Sequence, residues 1–355
     1  MVEQLKDNVL ENGYKVPALW GWHTYVSIAI TAVFLIFLAA MLDLKEVWRE
    51  IAATDKKFLL LGGLAHYATY PVRGWRWRRC LNHLSPRGGT GKFGLLVFFY
   101  NFVDNVVPGK LGDVYGAHLA RINCGVRRSA AMGSILFVRT VDAWIVLLLA
   151  SLASWILFSA QMTRSVVWSL IGGGFIAVAA TSIVLLLFLF RNSLPGWLPE
   201  KVQQMIHAFR SGMTPKPAEL APIGLLTVLI WVLETFWIVF LALAFGLRLS
   251  PAQAVFLTMI PLLASAFPLT PSGAGVVELT LFSCLRVAGV PTPIAVSLTV
   301  VNRFIDYWLH IGLGLLTWAI RRSIGLRTWR EVPFEDLRPV ASPDSTLSQE
   351  ALHGN

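Results

Sequence analysis

Apolar residues in this chain run in blocks of bilayer-crossing length. Six blocks read as full spans, at about 26–42, 58–79, 133–158, 166–190, 221–246 and 294–320. A helix needs about 20 predominantly apolar residues to cross hydrocarbon, and residues 16–42 and 165–190 carry no charged residue. Two further apolar blocks are interrupted. The block 93–121 breaks at Val107-Pro108-Gly109-Lys110-Leu111-Gly112, and 252–290 breaks at Phe267-Pro268-Leu269-Thr270-Pro271-Ser272-Gly273-Ala274-Gly275. Proline removes a backbone donor and glycine loosens a helix, so each block predicts a half-helix, an irregular turn and a second half-helix. Each half is too short to span. The pattern favours a re-entrant pair over a kinked spanning helix.

The polar segments complete the domain picture. Residues 1–25 form an N-terminal segment with no apparent cleavable signal. The transmembrane domain covers 26–323, with related halves at 93–158 and 252–320. The linker 191–220 holds a short amphipathic stretch, Glu200 to Phe209, expected on the inner surface. Residues 324–355 turn polar and read as a disordered tail. The expected fold is therefore an all-α polytopic membrane protein with about six transmembrane helices and two re-entrant broken-helix segments in an inverted-topology repeat.

Composition agrees with that class. The chain is 55% hydrophobic and 14% charged, with mean hydropathy +0.63; a soluble domain carries about 25% charged residues. The net charge of +10 is explained by topology and implies no nucleic acid. With the N-terminus inside, most Lys and Arg fall in inner segments, including Arg73, Arg76, Arg78, Arg79, Arg87 and Lys92, so an N-in, C-in inner-membrane protein is expected. Cys80, Cys124 and Cys284 are scattered and suggest neither disulfides nor a metal site. No Walker A, G-x-S-x-G or H-E-x-x-H motif is present, so neither cofactor nor catalytic residues are expected.

The chemistry lies in a repeat. Arg139-Thr140-Val141-Asp142-Ala143-Trp144 and Arg303-Phe304-Ile305-Asp306-Tyr307-Trp308 both read R-x-x-D-x-W. Gly125 and Gly289 precede them at equal distance, and Pro108/Gly112 and Pro271/Gly275 lie further upstream in the same order. Such ordered landmarks imply duplication. With the N-terminus inside, the first motif helix runs inside to outside and the second the reverse, which makes the repeat inverted, a recurring plan of alternating-access transporters. Arg and Asp are costly in hydrocarbon, so repeated pairs point to a lined cavity. Arg139 with Asp142, and Arg303 with Asp306, are three apart and share a helix face. One reading is a neutralised intrahelical pair; the other is an Arg held by its Asp to receive an anionic headgroup.

The turns add candidates. Pro108, Gly109, Lys110, Gly112 and Asp113 surround a half-helix start, a natural anion site. Thr270, Pro271, Ser272, Gly273, Gly275 and Glu278 form the counterpart. Gly112 and Gly275 are expected to let backbone approach a headgroup. Asn101, Asp104 and Asn105 stud an aromatic half-helix and are expected to face the cavity. Glu234 is the lone acid of its span, suited to a proton relay, a counter-charge or a helix–helix pair, and His310 follows Asp306 by one turn.

The residues N-x-x-P-G-K-L-G-D from Asn105 to Asp113, with Asn101, Arg139 to Asp142, P-S-G-A-G-V-V-E from Pro271 to Glu278, and Arg303 together resemble the flippase-like transmembrane family of lysylphosphatidylglycerol synthases. The resemblance covers about 30–320. Asp113 stands where the family usually has Glu, and Ser272 where it often has Gly. The resemblance implies movement of an anionic or modified lipid between leaflets, in some members aminoacylated phosphatidylglycerol and in others polyprenyl-phosphate-linked or hopanoid-associated lipids. No soluble aminoacyl-transferase domain accompanies these residues. The expected partners are thus membrane lipids, and a lipid-modifying enzyme. Two rival functions remain: a membrane-embedded headgroup enzyme, or a non-transporting partner of a lipid- or glycan-modifying enzyme.

Overall fold

The structure is a computed structural model that describes residues 44–106, 111–158, 164–189, 200–265, 273 and 275–328. The first expected span, the 191–199 part of the linker and residues 329–355 lie outside them. Every regular element among the described residues is helical. A short helix α1 (Leu44–Ala52), which the apolar pattern does not announce, leads into α2 (Lys56–Cys80). The first broken block is α3 (Thr90–Val106) and α4 (Leu111–Cys124). It is followed by α5 (Arg128–Phe158), α6 (Arg164–Leu189), α7 (Glu200–Met213) and α8 (Pro217–Ala244). The second broken block is α9 (Pro251–Ser265) and α10 (Val276–Val287). The chain then continues as α11 (Thr292–Arg303), a π turn (Phe304–Leu309) and α12 (His310–Ala319).

Among the described residues, three helical stretches are long and apolar enough to cross a bilayer: Arg128–Phe158, Val166–Leu186 and Pro217–Ala244. At 1.5 Å per residue each approaches or exceeds the ~30 Å of hydrocarbon. On α6, Trp168, Ile171, Phe175, Val178 and Ile183 are all exposed; in a membrane that face meets lipid. By contrast α2, at 25 residues, is long enough but too polar to read as a lipid-facing span. It survives because it is sheathed by α8 and α3. Asp55 caps its start, accepting from the Lys57 amide at 2.8 Å, which satisfies one orphan donor.

The two arms of each broken block pack side by side, α3 on α4 and α9 on α10. Two apolar cores result. One gathers the ends of α2, α3 and α4 with the first turns of α5; the other gathers α8 to α11 with the second half of α5. Helix α5 therefore ties the cores together. The amphipathic α7 is docked along α5. A side chain on Gly133 would overlap the Phe209 carbonyl, so the two backbones touch there.

Candidate functional site

The cavity wall begins with a stripe on α2. His66, Thr69, Tyr70, Arg73 and Arg76 recur every three or four residues, often enough to share one helix face. That face meets carboxylates from three other elements. Arg76 grips Asp142 of α5 with both terminal nitrogens, at 2.5 and 2.9 Å, and donates to the Thr227 hydroxyl of α8 at 3.0 Å. Arg73 holds Glu234 of α8 at 2.8 Å. His66 touches Glu234 through Nδ1 at 3.0 Å and lies 3.5 Å from Asp306 through Nε2. Glu234 thus has a definite role as the shared partner of His66 and Arg73. By sequence, Arg73 and Arg76 count with the charges of an inner loop; in the structure Arg76 is 2% exposed and both belong to the interior network.

The two R-x-x-D motifs do not form intrahelical pairs. Arg139 reaches Asp113 of α4 at 2.9 Å and lies 3.7 Å from Asp104 of α3. Arg303 donates from Nε to Glu278 of α10 at 2.7 Å, and its guanidinium sits 4.1 Å over the Tyr307 ring. Each motif arginine therefore takes the acid at the start of the second half-helix of its own broken block. Each motif aspartate takes a base from α2 instead. Sequence spacing offered the i,i+3 partner, but the helix-start acids stand closer to the guanidinium once α4 and α10 fold back.

Carboxylates also hold the turns. Asp104 accepts from the Gly112 amide at 2.7 Å, and Glu278 accepts from the Gly275 amide at 2.8 Å. Each broken block thus has a carboxylate on an amide at the head of its second helix, where the helix dipole favours negative charge. The two glycines differ. A side chain on Gly112 would run into the Tyr100 carbonyl and Asp104, so this glycine is required by α3–α4 packing rather than by headgroup approach. Gly275 has φ +85° with open space around it, so there the backbone conformation is what favours glycine.

These elements enclose a cavity of about 420 Å³. Of the residues expected at the site, Asn101, Asp104, Asn105, Arg139, Asp142, Gly273, Arg303 and Asp306 line it. Asp113, Gly112, Gly275 and Glu278 stand behind this lining as supports. Pro108, Gly109, Lys110, Thr270, Pro271 and Ser272 lie outside the described residues. Also lining it, beside residues of α5, α6 and α8 to α11, are His66, Tyr70, Arg73, Trp231, Glu234 and Trp237. Apart from Glu234, neither the repeat nor the turns mark any of these as site residues. The α2 spacing is the signal that finds three of them.

His310 packs as a buried histidine rather than joining Asp306. It is fully buried, with Nδ1 at 3.1 Å from the Tyr70 hydroxyl, and its ring stacks on Tyr67 and Tyr70. The π turn beside it changes the local hydrogen bonding, as such turns do at functional sites. Tyr67 donates to the Ile305 carbonyl at 3.1 Å, and Tyr307 donates across the halves to the Asn105 carbonyl at 3.1 Å.

Side-chain exposure then separates the two halves. Arg139 is 39% exposed and Asp142 12%. Arg303 is 11% exposed and Asp306 43%. The arginine is the more exposed member of the first motif and the aspartate that of the second.

Comparison with known proteins places this architecture. The chain is 27% identical over 227 residues to a UPF0104 membrane protein of Methanocaldococcus jannaschii, covering 63% of this chain and 96% of that one. It is 20% identical over 320 residues to a second UPF0104 membrane protein of that organism, covering 83% and 94%. It is also 22% identical over 309 residues to glycosyltransferase AglD of Haloferax volcanii, covering 75% of this chain and 49% of AglD. The family described as lysylphosphatidylglycerol synthase TM region matches residues 25–314, and this integral membrane protein belongs to it.

Proposed function

We propose that the protein moves the polar headgroup of a membrane lipid across the bilayer without ATP, acting as a translocator rather than an enzyme. The observation that carries this reading is the headgroup-sized cavity into which one half presents Arg139 and the other Asp306. A site of this size encloses a headgroup and leaves acyl chains in lipid. Arg139 suits a phosphate, because a guanidinium binds it bidentately. In this reading the broken blocks are re-entrant and related by inverted topology, with both termini on the inner face of the inner membrane. The parallel pairings Arg139–Asp113 and Arg303–Glu278 support such a repeat.

Charge balance refines the ligand. The linked side chains include carboxylates at Asp104, Asp113, Asp142, Glu234, Glu278 and Asp306, against guanidiniums at Arg73, Arg76, Arg139 and Arg303 and the imidazole of His66. That acid surplus favours a modified lipid whose headgroup carries a positive group beside its phosphate. The phosphate then faces Arg139 and the cation faces Asp306.

The test uses proteoliposomes with trace tail-labelled phosphatidylethanolamine and phosphatidylglycerol, read by quenching of the outer leaflet. Redistribution well above that of empty vesicles, and lost in Arg139→Leu, is the expected result. Wild-type vesicles that behave as empty ones with both lipids sink the proposal. One observation favours a second reading: AglD, named a glycosyltransferase, contains a region similar to this chain over about half its length. The protein would then be a non-transporting partner of a glycan- or lipid-modifying enzyme, and Arg139→Leu would leave lipid distribution untouched.

A further inference from the structure

We infer that the cavity exchanges a proton for the lipid headgroup, with His66 as the proton carrier and Asp306 as the shared station. The inference rests on the translocation reading and adds its energy source. His66 is buried, yet it stands between two carboxylates from separate elements. Its Nδ1 is 3.0 Å from Glu234, and its Nε2 lies 3.5 Å from Asp306 without a hydrogen bond. Glu234 is also fixed by Arg73 at 2.8 Å. The Glu234 side is thus a held contact and the Asp306 side a loose one. Asp306 is the more exposed of the two acids and opens onto the cavity.

Among the described residues, the charged and titratable groups facing His66 are few. Glu234 comes from α8, Asp306 from the π turn, and Arg73, Tyr67 and Tyr70 from α2 itself, with His310 of α12 reached through Tyr70. With His66 protonated, the local set of His66, Arg73, Glu234 and Asp306 is neutral. With His66 neutral it carries one negative charge. With His66 neutral, the Asp306 carboxylate, 43% exposed and open to the cavity, has room for a second cation. A headgroup ammonium supplies it. Proton and headgroup therefore compete for one carboxylate.

The transfer itself is simple. The Nε2–H bond of the imidazolium breaks, an O–H bond forms on Asp306, and neutral imidazole remains with a carboxylic acid. The proton then leaves to cavity water, and the freed carboxylate receives the ammonium. Histidine suits this role because its charge changes near neutral pH, and acid–histidine chains are common proton paths inside membranes.

Exchange makes a quantitative demand. With one proton per lipid, a one-unit pH gradient holds about a tenfold lipid asymmetry at zero potential, since one unit is worth a factor of ten. The experiment uses wild-type proteoliposomes with trace tail-labelled phosphatidylethanolamine, an internal pH dye, and potential clamped by valinomycin in equal potassium. The labelled lipid is expected to gather about tenfold on the leaflet facing the acidic side, with a matching proton flow in the opposite direction. His66→Gln is expected to redistribute the label without a gradient and to give equal leaflets under the same gradient. Equal leaflets in the wild type overturn the proton exchange while leaving translocation standing. Accumulation on the alkaline leaflet overturns the competition. Tenfold asymmetry retained by His66→Gln removes that residue as carrier. Absence of any redistribution without a gradient removes translocation and this inference together.

Discussion

The two motif helices start from one sequence pattern and end in opposite arrangements. In the first, the aspartate is clamped by both terminal nitrogens of Arg76 and the arginine is the more exposed of the two. In the second, the arginine is clamped between Glu278 and the Tyr307 ring, and the aspartate is the more exposed. The first helix continues as regular α-helix through its motif, while the second opens into a π turn there. One repeated pattern therefore supplies a symmetric scaffold, and the α2 bases make it asymmetric. Arg76 saturates its carboxylate with a fork; His66 offers Asp306 one nitrogen at longer range. A locked strut and an open contact follow from that single difference in base.

The largest expected effect breaks the strut. Arg76→Met or Asp142→Leu alone leaves a buried charge unpaired and is expected to cost about 3–5 kcal/mol, whereas the double change recovers most of it. Thermal unfolding in detergent reads this, and single variants as stable as wild type would show that the pair is no strut. The next effect separates the arginines. Arg139→Lys is expected to keep stability but slow translocation about tenfold or more, the scale of a charged hydrogen bond at about 1.5–3 kcal/mol. Arg303→Lys is expected to lower stability as well, because its guanidinium is the more buried one; equal behaviour of both variants in unfolding and transport assays would erase the contrast.

A smaller effect tests the glycines. Gly112→Ala forces α3 from α4 and is expected to cost about 1–3 kcal/mol through overpacking. Gly275→Ala meets only its positive φ and is expected to cost about 1 kcal/mol. Reversal of that order in thermal unfolding would contradict the packing assigned to Gly112. The smallest effect concerns the π turn. Tyr67→Phe removes the donor to the Ile305 carbonyl and is expected to cost about 1 kcal/mol, with no loss if the turn closes without it.

Much of this was legible in sequence. The two interrupted blocks, three of the six expected spans and eight of the cavity-lining residues follow from apolar runs, Pro–Gly interruptions and the repeated motif. The partners were not. Arg139 and Asp142 share a helix face, but whether they bond depends on what the returning α4 brings, and Asp113 belongs to that other helix. Arg73 and Arg76 sit near a span end and beside Arg78 and Arg79, so they read with the loop charges. Only the three- and four-residue spacing back to His66 marks them as inward. The π turn leaves no composition signal at all, since Phe304 to Leu309 reads as ordinary helix.

The polar stripe of α2 also sets a schedule for biosynthesis. Asp142 lies 66 residues after Arg76, and Glu234 lies 161 residues after Arg73. At about 5–20 residues per second, Glu234 leaves the ribosome roughly 8–30 s behind its arginine. For that interval α2 carries cations whose counter-ions are still unmade, and lipid is a poor solvent for them. Helix α2 is therefore expected to complete its polar contacts only after α5 and then α8 are made. A nascent chain halted before Glu234 is expected to leave the α2 stripe without its partner carboxylates, which crosslinking of stalled chains would read.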